Sequence, residues 1–495
     1  MGDIRKQGIN NTLITYLGIL IGFFNNLVIM PSVLPKEELG LTRVLYSVAA
    51  LFATIFPVGL AGAIVKFFPR FRDPGSGHHG FLRLLLNIAI ACYCFFLIVA
   101  LIFRSSILSW YDESPMLLEF FVWIIPMSFC IGIVHLLNGY CFSLFKSTFP
   151  IFLNEVFNRI WLMAVLLIYF MKIISFDVFV GLFTGSFFVQ LLLLALFIAK
   201  VDNGLYHRID RKFLVTLDKR EIFHFLLLMA PATLASAALK LVDVSMVGSN
   251  LNKGNPLRDA AIYGIAVTIA SIIEAPSNAL IRIADYKVSD AINKNDISFI
   301  ESVYRNSTRV LMVIGGLLFV GIAINIKAGL ELIPGNFSAG YFAVLIVGCG
   351  TFVNMATGVN SSLVFYSPRY REGTLLLFTL IVFTVVLNYF LIPIYGIEGA
   401  ALGTASSAII YNTVKALIIW RHYKIQPYGY YALIVLGLMV ICFLLNSLLP
   451  RLGNNYADIL YRSFIIGVLY IVVALRSKII PEANEIIRKY SGIDI

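Results

Sequence analysis

Charged side chains interrupt the long apolar runs of this sequence, and their spacing indicates what they can bind. In "NEVFNRIW", Glu155 and Arg159 are four residues apart, which places them on one face of a helix. An arginine in this position can hold a phosphate oxygen through a forked contact of its planar guanidinium. Alternatively, the two side chains neutralise each other as an ion pair. We predict that Arg159 binds substrate.

A second charged group follows later in the chain. Lys240 and Asp243 lie three residues apart in "ALKLVDVSM", and Glu274 stands beside the helix-breaking Pro276. Ionisable groups in apolar spans usually face a cavity or one another. Two acids and one base cannot all cancel, so one carboxylate is expected to titrate, to bind a cation or to meet Arg159. We predict that Lys240 and Glu274 bind substrate, with a simple Lys240–Asp243 pair as the alternative.

Uncharged polar residues complete the predicted binding site. Asn25, Asn26 and His135 stand within apolar stretches. Amide and imidazole groups can bond sugar hydroxyls, although packing inside a helix bundle explains such residues as well. We predict that these three residues contact substrate.

Three oxygen-bearing residues fall at one predicted depth of the membrane. Asp243, Asn388 and Thr404 each lie about six or seven residues inward from the outer ends of their helices, and a helix rises about 1.5 Å per residue. Carboxylate, amide and hydroxyl oxygens suit an alkali cation or a proton-linked hydrogen-bond network. We predict a coupling site for Na+ or H+ here, and no other metal or cofactor.

The elements that position these residues are membrane helices. The 495 residues are 59% hydrophobic and 13% charged, whereas soluble domains are about 25% charged. The mean hydropathy is +0.88. Crossing a bilayer takes about 20 apolar residues, so we predict an all-α polytopic membrane protein with fourteen spans. The predicted spans are 9–33, 42–66, 83–103, 118–143, 149–171, 177–199, 223–248, 261–283, 309–326, 340–365, 373–394, 397–419, 429–449 and 458–476.

The basic residues predict the orientation. Most of the 38 Lys and Arg residues fall at the ends of spans on the side of the N-terminus, and cytoplasmic loops collect such residues. Both termini are therefore predicted to be cytoplasmic, in a bacterial inner membrane. The net charge of +11 is then explained by anionic lipid, with no nucleic-acid partner.

An internal repeat predicts the architecture. Five features of the first six spans recur in the next six at an offset of about 219 residues. The pairs are Pro57 with Pro276, Gly139 with Gly358, Pro150 with Pro368, Thr184 with Thr404, and Ser186 with Ser406. Because six spans return the chain to its starting side, the two lobes form parallel repeats. The predicted parts are an N-lobe at 1–200, a cytoplasmic linker at 201–222, a C-lobe at 223–424, and spans 13–14 with the tail at 425–495.

Enzymatic chemistry has no sequence support. The predicted outer loops are short, and no phosphate-binding loop, paired metal ligands or nucleophile elbow occurs in the sequence. We therefore predict a transporter and no enzyme.

The sequence resembles a known group of transporters. The stretches "LPKEELGLTRVLYSVAALFATIFPVGL" and "LIPIYGIEGAALGTASS" are similar to the polysaccharide transporter (O-antigen flippase, Wzx-like) branch of the multidrug/oligosaccharidyl-lipid/polysaccharide (MOP) flippase superfamily. The resemblance covers essentially the whole chain. It implies a cavity lined by spans 1, 2, 7 and 8, and a cation site between spans 7, 11 and 12. The first contains Asn25, Asn26, Lys240 and Glu274; the second contains Asp243, Asn388 and Thr404.

Two departures bear on the substrate. Flippases of lipid-linked peptidoglycan precursors carry several arginines in helices 1, 2 and 8, where this chain offers only Lys66 and Arg282 at helix ends. Drug-exporting relatives rely on an acid in helix 1, whereas here the first acids after Asp3 are Glu37 and Glu38.

The resemblance implies a flippase for an undecaprenyl-diphosphate-linked oligosaccharide in surface polysaccharide assembly (O-antigen of lipopolysaccharide, capsule or exopolysaccharide). Its partners would be the lipid-linked oligosaccharide, membrane lipid, and glycan polymerase and assembly proteins. The alternatives are a cation-coupled drug or metabolite exporter and a membrane-embedded glycan transferase.

Overall fold

The computed structural model describes residues 2–56, 59–202, 207–210, 212–213, 219–249, 251–294, 296–367, 370–477 and 479. These residues form helices and no strand. The main helices are α1 (Gly2–Phe24), α2 (Lys36–Ile55), α3 (Leu60–Phe71), α4 (Phe81–Ile102), α5 (Ile124–Ser143), α6 (Asn158–Phe170), α7 (Phe176–Val201), α8 (Lys219–Val247), α9 (Pro256–Asn293), α10 (Ile297–Leu332), α11 (Tyr341–Met355), α12 (Asn360–Phe365), α13 (Tyr370–Tyr423), α14 (Tyr430–Leu448) and α15 (Asn455–Arg476).

Two of these helices include π-helical segments. α1 continues through the π-helical segment Asn25–Ile29 into Met30–Val33, and α6 is preceded by Thr148–Phe152 and the π-helical segment Leu153–Phe157. The two π-helical segments belong to neighbouring helices, since α1 packs against Leu153–Phe157 and α6 packs against Asn25–Ile29.

Membrane-spanning helices account for most of the described residues. Twelve helical stretches within the described ranges are long and apolar enough to cross a bilayer. The predicted all-α, multi-pass class is therefore confirmed. One stretch, Arg371–Tyr423, has 53 residues and contains a reversal. The count of fourteen spans stays a prediction.

Some helix bounds differ from those predicted. The predicted span 42–66 is two helices, α2 and α3, because the backbone at Gly59 takes a left-handed φ of 73° that no α-helix contains. α9 and α10 run well beyond their predicted apolar stretches, since helix geometry continues through polar residues at the membrane boundary.

The chain divides into two compact units, unit 1 (Met1–Ala261) and unit 2 (Ile262–Ile495). The predicted lobe boundaries stay a prediction. In unit 1, α2 is central and packs against α5 and α8. Glycines permit the close approach: a Cβ at Gly132 of α5 would lie 2.1 Å from the Phe56 ring, and one at Gly40 would lie 1.7 Å from the Leu257 carbonyl oxygen. α4 lies at the periphery, with only 11% of its most apolar window buried.

The start of the predicted linker docks on the loop between α3 and α4. The His79 ring stacks on Phe213 with centroids 3.9 Å apart, and its Nδ1 lies 3.2 Å from an Asp210 carboxylate oxygen. Close by, the buried His78 imidazole faces Asp202 at 3.4 Å, and the Tyr140 hydroxyl donates to the same carboxylate at 2.5 Å. These contacts fix part of the linker to α5 and to the loop between α3 and α4.

In unit 2, α10 forms the centre. It packs against α11 and against the final pair, α14 and α15. The Tyr470 hydroxyl of α15 donates to the Val313 carbonyl of α10 at 3.0 Å, where Gly316 leaves space for the phenol group. α14 and α15 therefore form one hydrophobic core with α10.

The small residues after Pro393 have a structural cause. α13 reverses at Gly396, whose φ of 57° and ψ of −127° interrupt the helix. The two arms then touch through glycine: a Cβ at Gly399 would lie 2.2 Å from the Leu391 carbonyl oxygen, and one at Gly403 would lie 2.1 Å from Asn388 Oδ1. The boundary between the predicted spans 373–394 and 397–419 therefore lies at this reversal, and small residues let the two arms pack closely.

Candidate functional site

The first polar cluster of unit 1 is centred on Arg159. Its Nη2 lies 3.0 Å from a Glu155 carboxylate oxygen, and each side chain is about one-third exposed, at 31% and 32%. The ion pair considered as the alternative therefore forms. It does not use the whole guanidinium, however, since Nη1 is buried without a hydrogen-bond partner among the described residues. One guanidinium nitrogen is therefore left without a partner among the described residues.

A glycine notch on α1 receives this arginine. A Cβ at Gly18 would lie 2.7 Å from Arg159 Nη1, and one at Gly22 would lie 3.0 Å from its Nε. These two glycines are four residues apart and share one helix face. The guanidinium is therefore held by close backbone packing as well as by Glu155, which fixes its direction.

The predicted asparagines lie beside this notch. Asn25 is 1% exposed, and its amide nitrogen donates to the Arg159 carbonyl oxygen at 2.7 Å. The Asn26 amide nitrogen donates to the Gly22 carbonyl oxygen at 2.8 Å. Both amide nitrogens thus bond the backbone. The Asn25 Oδ1 is buried and has no partner within the described ranges, so it can accept from a ligand hydroxyl.

Asn25, Asn26 and Glu155 all lie in the two π-helical segments. A π-helical turn adds a residue to the helix, reorients the side chains that follow, and is frequent at functional sites. The sequence gives no signal for such turns, because they depend on the backbone packing between α1 and α6.

Sequence reasoning missed Arg43. Because α2 begins at Lys36, Arg43 lies inside the helix rather than at its start. Its Nε and Nη2 are buried and have no partner among the described residues. Tyr46 lies one turn away on the same face and interacts electrostatically with Arg159 and Glu155. Unit 1 therefore carries two arginines with unused donors, which the position of Arg43 in an apolar run could have signalled.

The other predicted residues of unit 1 have separate places. His135 is exposed on α5, whose neighbouring residues are almost all buried. Asp243 is 5% exposed on α8. The side chain of Lys240 lies outside the described residues, so the predicted Lys240–Asp243 pair stays a prediction.

Unit 2 contains a continuous polar path that we call the asparagine ladder. Its members are Lys415, Ser361, Asn360, Asn412, Asn354 and Glu274. Lys415 Nζ donates to Ser361 Oγ at 2.8 Å, and Ser361 donates to Asn360 Oδ1 at 3.4 Å.

The remaining bonds of the ladder join three asparagines to the glutamate. The amide of Asn360 donates to Asn412, that of Asn412 to Asn354, and that of Asn354 to Glu274, each at 3.1 Å. Every bond therefore points from the ammonium towards the carboxylate. Aligned dipoles in a low-dielectric interior reinforce one another.

Lys415 is the most unusual member of the ladder. It is 1% exposed, and its ammonium also lies 4.1 Å from the centroid of the Tyr411 ring. No carboxylate within the described part of the chain forms a direct ion pair with it. The ladder lets Lys415 and Glu274 occupy one apolar unit without contact. Glu274 was predicted from the sequence; Asn354, Asn360, Asn412 and Lys415 were not, although Asn412 and Lys415 at i, i+3 in an apolar span are a usable signal.

The two predicted coupling residues of unit 2 lie near the α13 hairpin. Asn388 is completely buried against Gly403. The Thr404 hydroxyl donates to the Ala400 carbonyl oxygen at 3.0 Å and lies 3.3 Å from the Tyr263 hydroxyl. Asn388 is thus buried and Thr404 is half-buried, and their joint action with Asp243 stays a prediction. Across the described residues, no group of three or more His, Cys, Asp or Glu side chains is placed to hold a metal ion.

Known proteins resemble this chain in structure and not in detectable sequence similarity. No protein-family model and no curated protein matches the sequence. Among solved structures, the lipid II flippase MurJ in an inward closed conformation superposes with a TM-score of 0.72 at 11% identity, covering 94% of this chain and 98% of that one. The chain has the fold of the MOP-superfamily transporters.

Two further structures have this MOP fold. An inward-facing multidrug resistance MATE family transporter gives a TM-score of 0.65 at 14% identity, over 84% of this chain and 98% of its own. A MOP superfamily transporter from Pyrococcus furiosus gives 0.57 at 14% identity, over 85% and 96%. These structures are described as flippases and transporters. The polysaccharide branch of the superfamily stays a prediction.

Proposed function

We propose that this MOP-fold protein is a flippase that moves an undecaprenyl-diphosphate-linked oligosaccharide from the inner to the outer leaflet by alternating access. The observation that carries the proposal is the Arg159 site, with an unused guanidinium donor, in a fold shared over 94% of the chain with a lipid II flippase. A sugar chain needs a polar path because it cannot cross hydrocarbon, whereas the polyprenyl tail can remain in lipid.

Each predicted site residue has a role in this proposal. Arg159 and Lys240 bind the diphosphate or acidic sugars, and we add Arg43 because its buried N–H groups lack partners among the described residues. Asn25, Asn26 and His135 contact sugar hydroxyls. The asparagine oxygens serve best, since both amide nitrogens already bond the backbone.

Coupling to an ion gradient is part of the proposal. Either Asp243, Asn388 and Thr404 bind Na+, or Glu274 takes up H+. The ladder favours a role for Glu274 in coupling, because its charge is the end point of a bond series that begins at the Lys415 ammonium. A change of charge at Glu274 would alter the hydrogen bonds of the ladder, which join several helices of unit 2.

The proposal includes a location and partners. The protein would lie in a bacterial inner membrane with both termini cytoplasmic, next to a glycan polymerase and assembly proteins. Its product would feed assembly of O-antigen, capsule or exopolysaccharide.

A cation-coupled exporter of drugs or metabolites is the second candidate. The fold similarity to a multidrug resistance MATE transporter favours it. The lack of an acid in α1 after Asp3 argues against it, since the next acids, Glu37 and Glu38, begin α2.

One experiment separates the two candidates. In a deletion strain, polyprenyl-linked oligosaccharides are extracted and tolerance to cationic drugs is measured in parallel. Accumulation of lipid-linked repeat units with unchanged drug tolerance supports the flippase. Normal surface glycan with new drug sensitivity would reject it in favour of the exporter.

A further inference from the structure

A cavity in unit 1 lies apart from both polar clusters. Its volume is about 420 Å³, and it opens at the surface between α1, the helix Thr148–Phe152 and α7. The walls are apolar, formed by Ile14, Phe149, Phe152 and Phe197. The Phe149 and Phe197 rings lie 4.6 Å apart, which gives the cavity an aromatic floor.

The lining also includes the polar residues Gln7, Lys146 and Thr148. Lys146 is exposed and has no carboxylate partner in the described ranges. The next residue, Ser147, accepts a hydrogen bond from the Asn11 amide at 2.8 Å and lies 3.4 Å from Gln7 Oε1. These bonds fasten α1 to the loop that carries Lys146. Arg72 lies over the neighbouring Phe145 ring at 5.0 Å and adds a second cation.

This arrangement matches an amphiphile rather than a water-soluble molecule. The apolar walls belong to a membrane-spanning part of the chain, where hydrocarbon is the surrounding solvent. Lysine at the end of a membrane helix reaches the headgroup level, where it attracts anionic lipid. The volume falls in the usual range of about 300–1,000 Å³ for small-ligand sites, which is enough for part of one hydrocarbon chain.

We propose that this cavity binds one anionic phospholipid, with a chain against Ile14, Phe149, Phe152 and Phe197 and the phosphodiester at Lys146. A single lysine with one nearby arginine suits the single negative charge of a phosphodiester. The bound lipid holds α1 against the helix that leads into the Arg159 cluster. This assignment does not depend on what the protein transports.

Native mass spectrometry of the purified full chain tests the assignment. The protein is mixed with equal amounts of phosphatidylglycerol and phosphatidylcholine. The wild type should retain phosphatidylglycerol preferentially, and Lys146→Gln should reduce that preference about fivefold, the effect of one basic residue near anionic lipid. Lys424→Gln is the matched control: Lys424 is also exposed and lies 5.4 Å from an aromatic ring, that of Trp420, but lines no part of this cavity.

A second variant tests the cavity itself. Ile14→Trp fills the space and should reduce retention of both lipids, with size-exclusion profile and thermal unfolding used to verify the fold. Equal preference in wild type and Lys146→Gln, or an equal loss in Lys424→Gln, would overturn the proposal. Stronger, Lys146-dependent retention of undecaprenyl phosphate than of phosphatidylglycerol would also overturn it, and would assign the cavity to polyprenyl lipids.

Discussion

At the residue scale, the two units hold a cation in apolar surroundings by different means. Arg159 in unit 1 and Lys415 in unit 2 lie in apolar surroundings that disfavour an isolated charge. Arg159 is neutralised directly by Glu155 and keeps one N–H unused. Lys415 is connected to Glu274 through amide and hydroxyl groups. The first arrangement is suited to binding an anion, and the second to storing a separated charge pair.

We predict that Arg159→Lys lowers flipping about tenfold, which corresponds to about 1.4 kcal/mol. Lysine retains the charge and can still pair with Glu155, but it loses the fork that leaves Nη1 available. The measurement is restoration of surface polysaccharide in the deletion strain at matched protein level. Arg70→Lys serves as control, because Arg70 already pairs with Glu221 in an exposed position. Full activity of Arg159→Lys would show that Arg159 acts only as a partner for Glu155.

The ladder predicts that substitutions at Lys415 and Glu274 have non-additive effects on stability. Lys415 is fully buried and Glu274 is half-buried, and replacing one of the two leaves the opposite charge uncompensated. Lys415→Met should therefore lower the unfolding temperature in detergent, and adding Glu274→Gln should recover part of the loss. Additive losses in the double variant would mean that the two charges do not communicate.

At the element scale, glycine determines where helices can touch. The two arms of α13 approach at Gly399 and Gly403, and α1 receives Arg159 at Gly18 and Gly22. In each case, a methyl group would meet backbone or a closely packed polar side chain. By contrast, Gly467 of α15 has no atom within 4 Å of an added Cβ.

We predict that Gly403→Ala destabilises the protein, since its Cβ would lie 2.1 Å from Asn388 Oδ1. The expected result is a lower unfolding temperature in detergent, together with reduced transport if Asn388 belongs to the coupling site. Gly467→Ala is the matched control and should leave both unchanged. Equal behaviour of the two variants would contradict the close packing of the hairpin.

The docked linker predicts a pH dependence. A backbone hydrogen bond from Phe213 and the contact with His79 hold the pKa of Asp210 below its usual range. A depressed pKa stabilises docking above the unfolded value of about 3.9, and this contribution is lost as the pH falls through the lower folded value.

Asp210→Asn should therefore increase proteolytic cleavage of the linker at pH 7, and the difference from wild type should diminish at pH 3, below the unfolded pKa of about 3.9. Limited proteolysis at the two pH values measures it. A difference that persists unchanged at the acidic pH would show that the carboxylate charge does not hold the linker.

At the scale of the whole molecule, both units have a hydrophobic exterior. Large apolar side chains such as Phe95, Leu433 and Phe464 are 69%, 75% and 72% exposed. A soluble protein would not expose such a surface, whereas lipid contacts it without penalty. The same exterior surrounds polar clusters in the interior of each unit.

The predicted orientation has a direct test. With both termini cytoplasmic, the loop with Gly75 should face the cytoplasm and the loop with Asp112 the opposite side. Gly75→Cys and Asp112→Cys are introduced separately into a cysteine-free background and labelled with a membrane-impermeant maleimide in intact cells. Labelling of Asp112→Cys alone is expected, and labelling of Gly75→Cys alone would reverse the topology.

The sequence by itself determined the membrane class, most helices and the i, i+4 pairing of Glu155 with Arg159. Hydropathy and i, i+4 spacing are local properties, so they can be read from the sequence without three-dimensional information. The break between the predicted spans 373–394 and 397–419 followed from local composition in the same way.

Only the tertiary structure decided which polar atoms already form hydrogen bonds within the protein. Asn25 and Asn26 looked alike in sequence, yet only the Asn25 amide reaches across to the Arg159 backbone. The ladder joins residues as far apart as Glu274 and Lys415, and its bonds depend on distances between helices that no local pattern encodes. The π-helical turns and the buried donors of Arg43 arise for the same reason: packing between helices, rather than the residues of one helix, determines which groups remain free to bind.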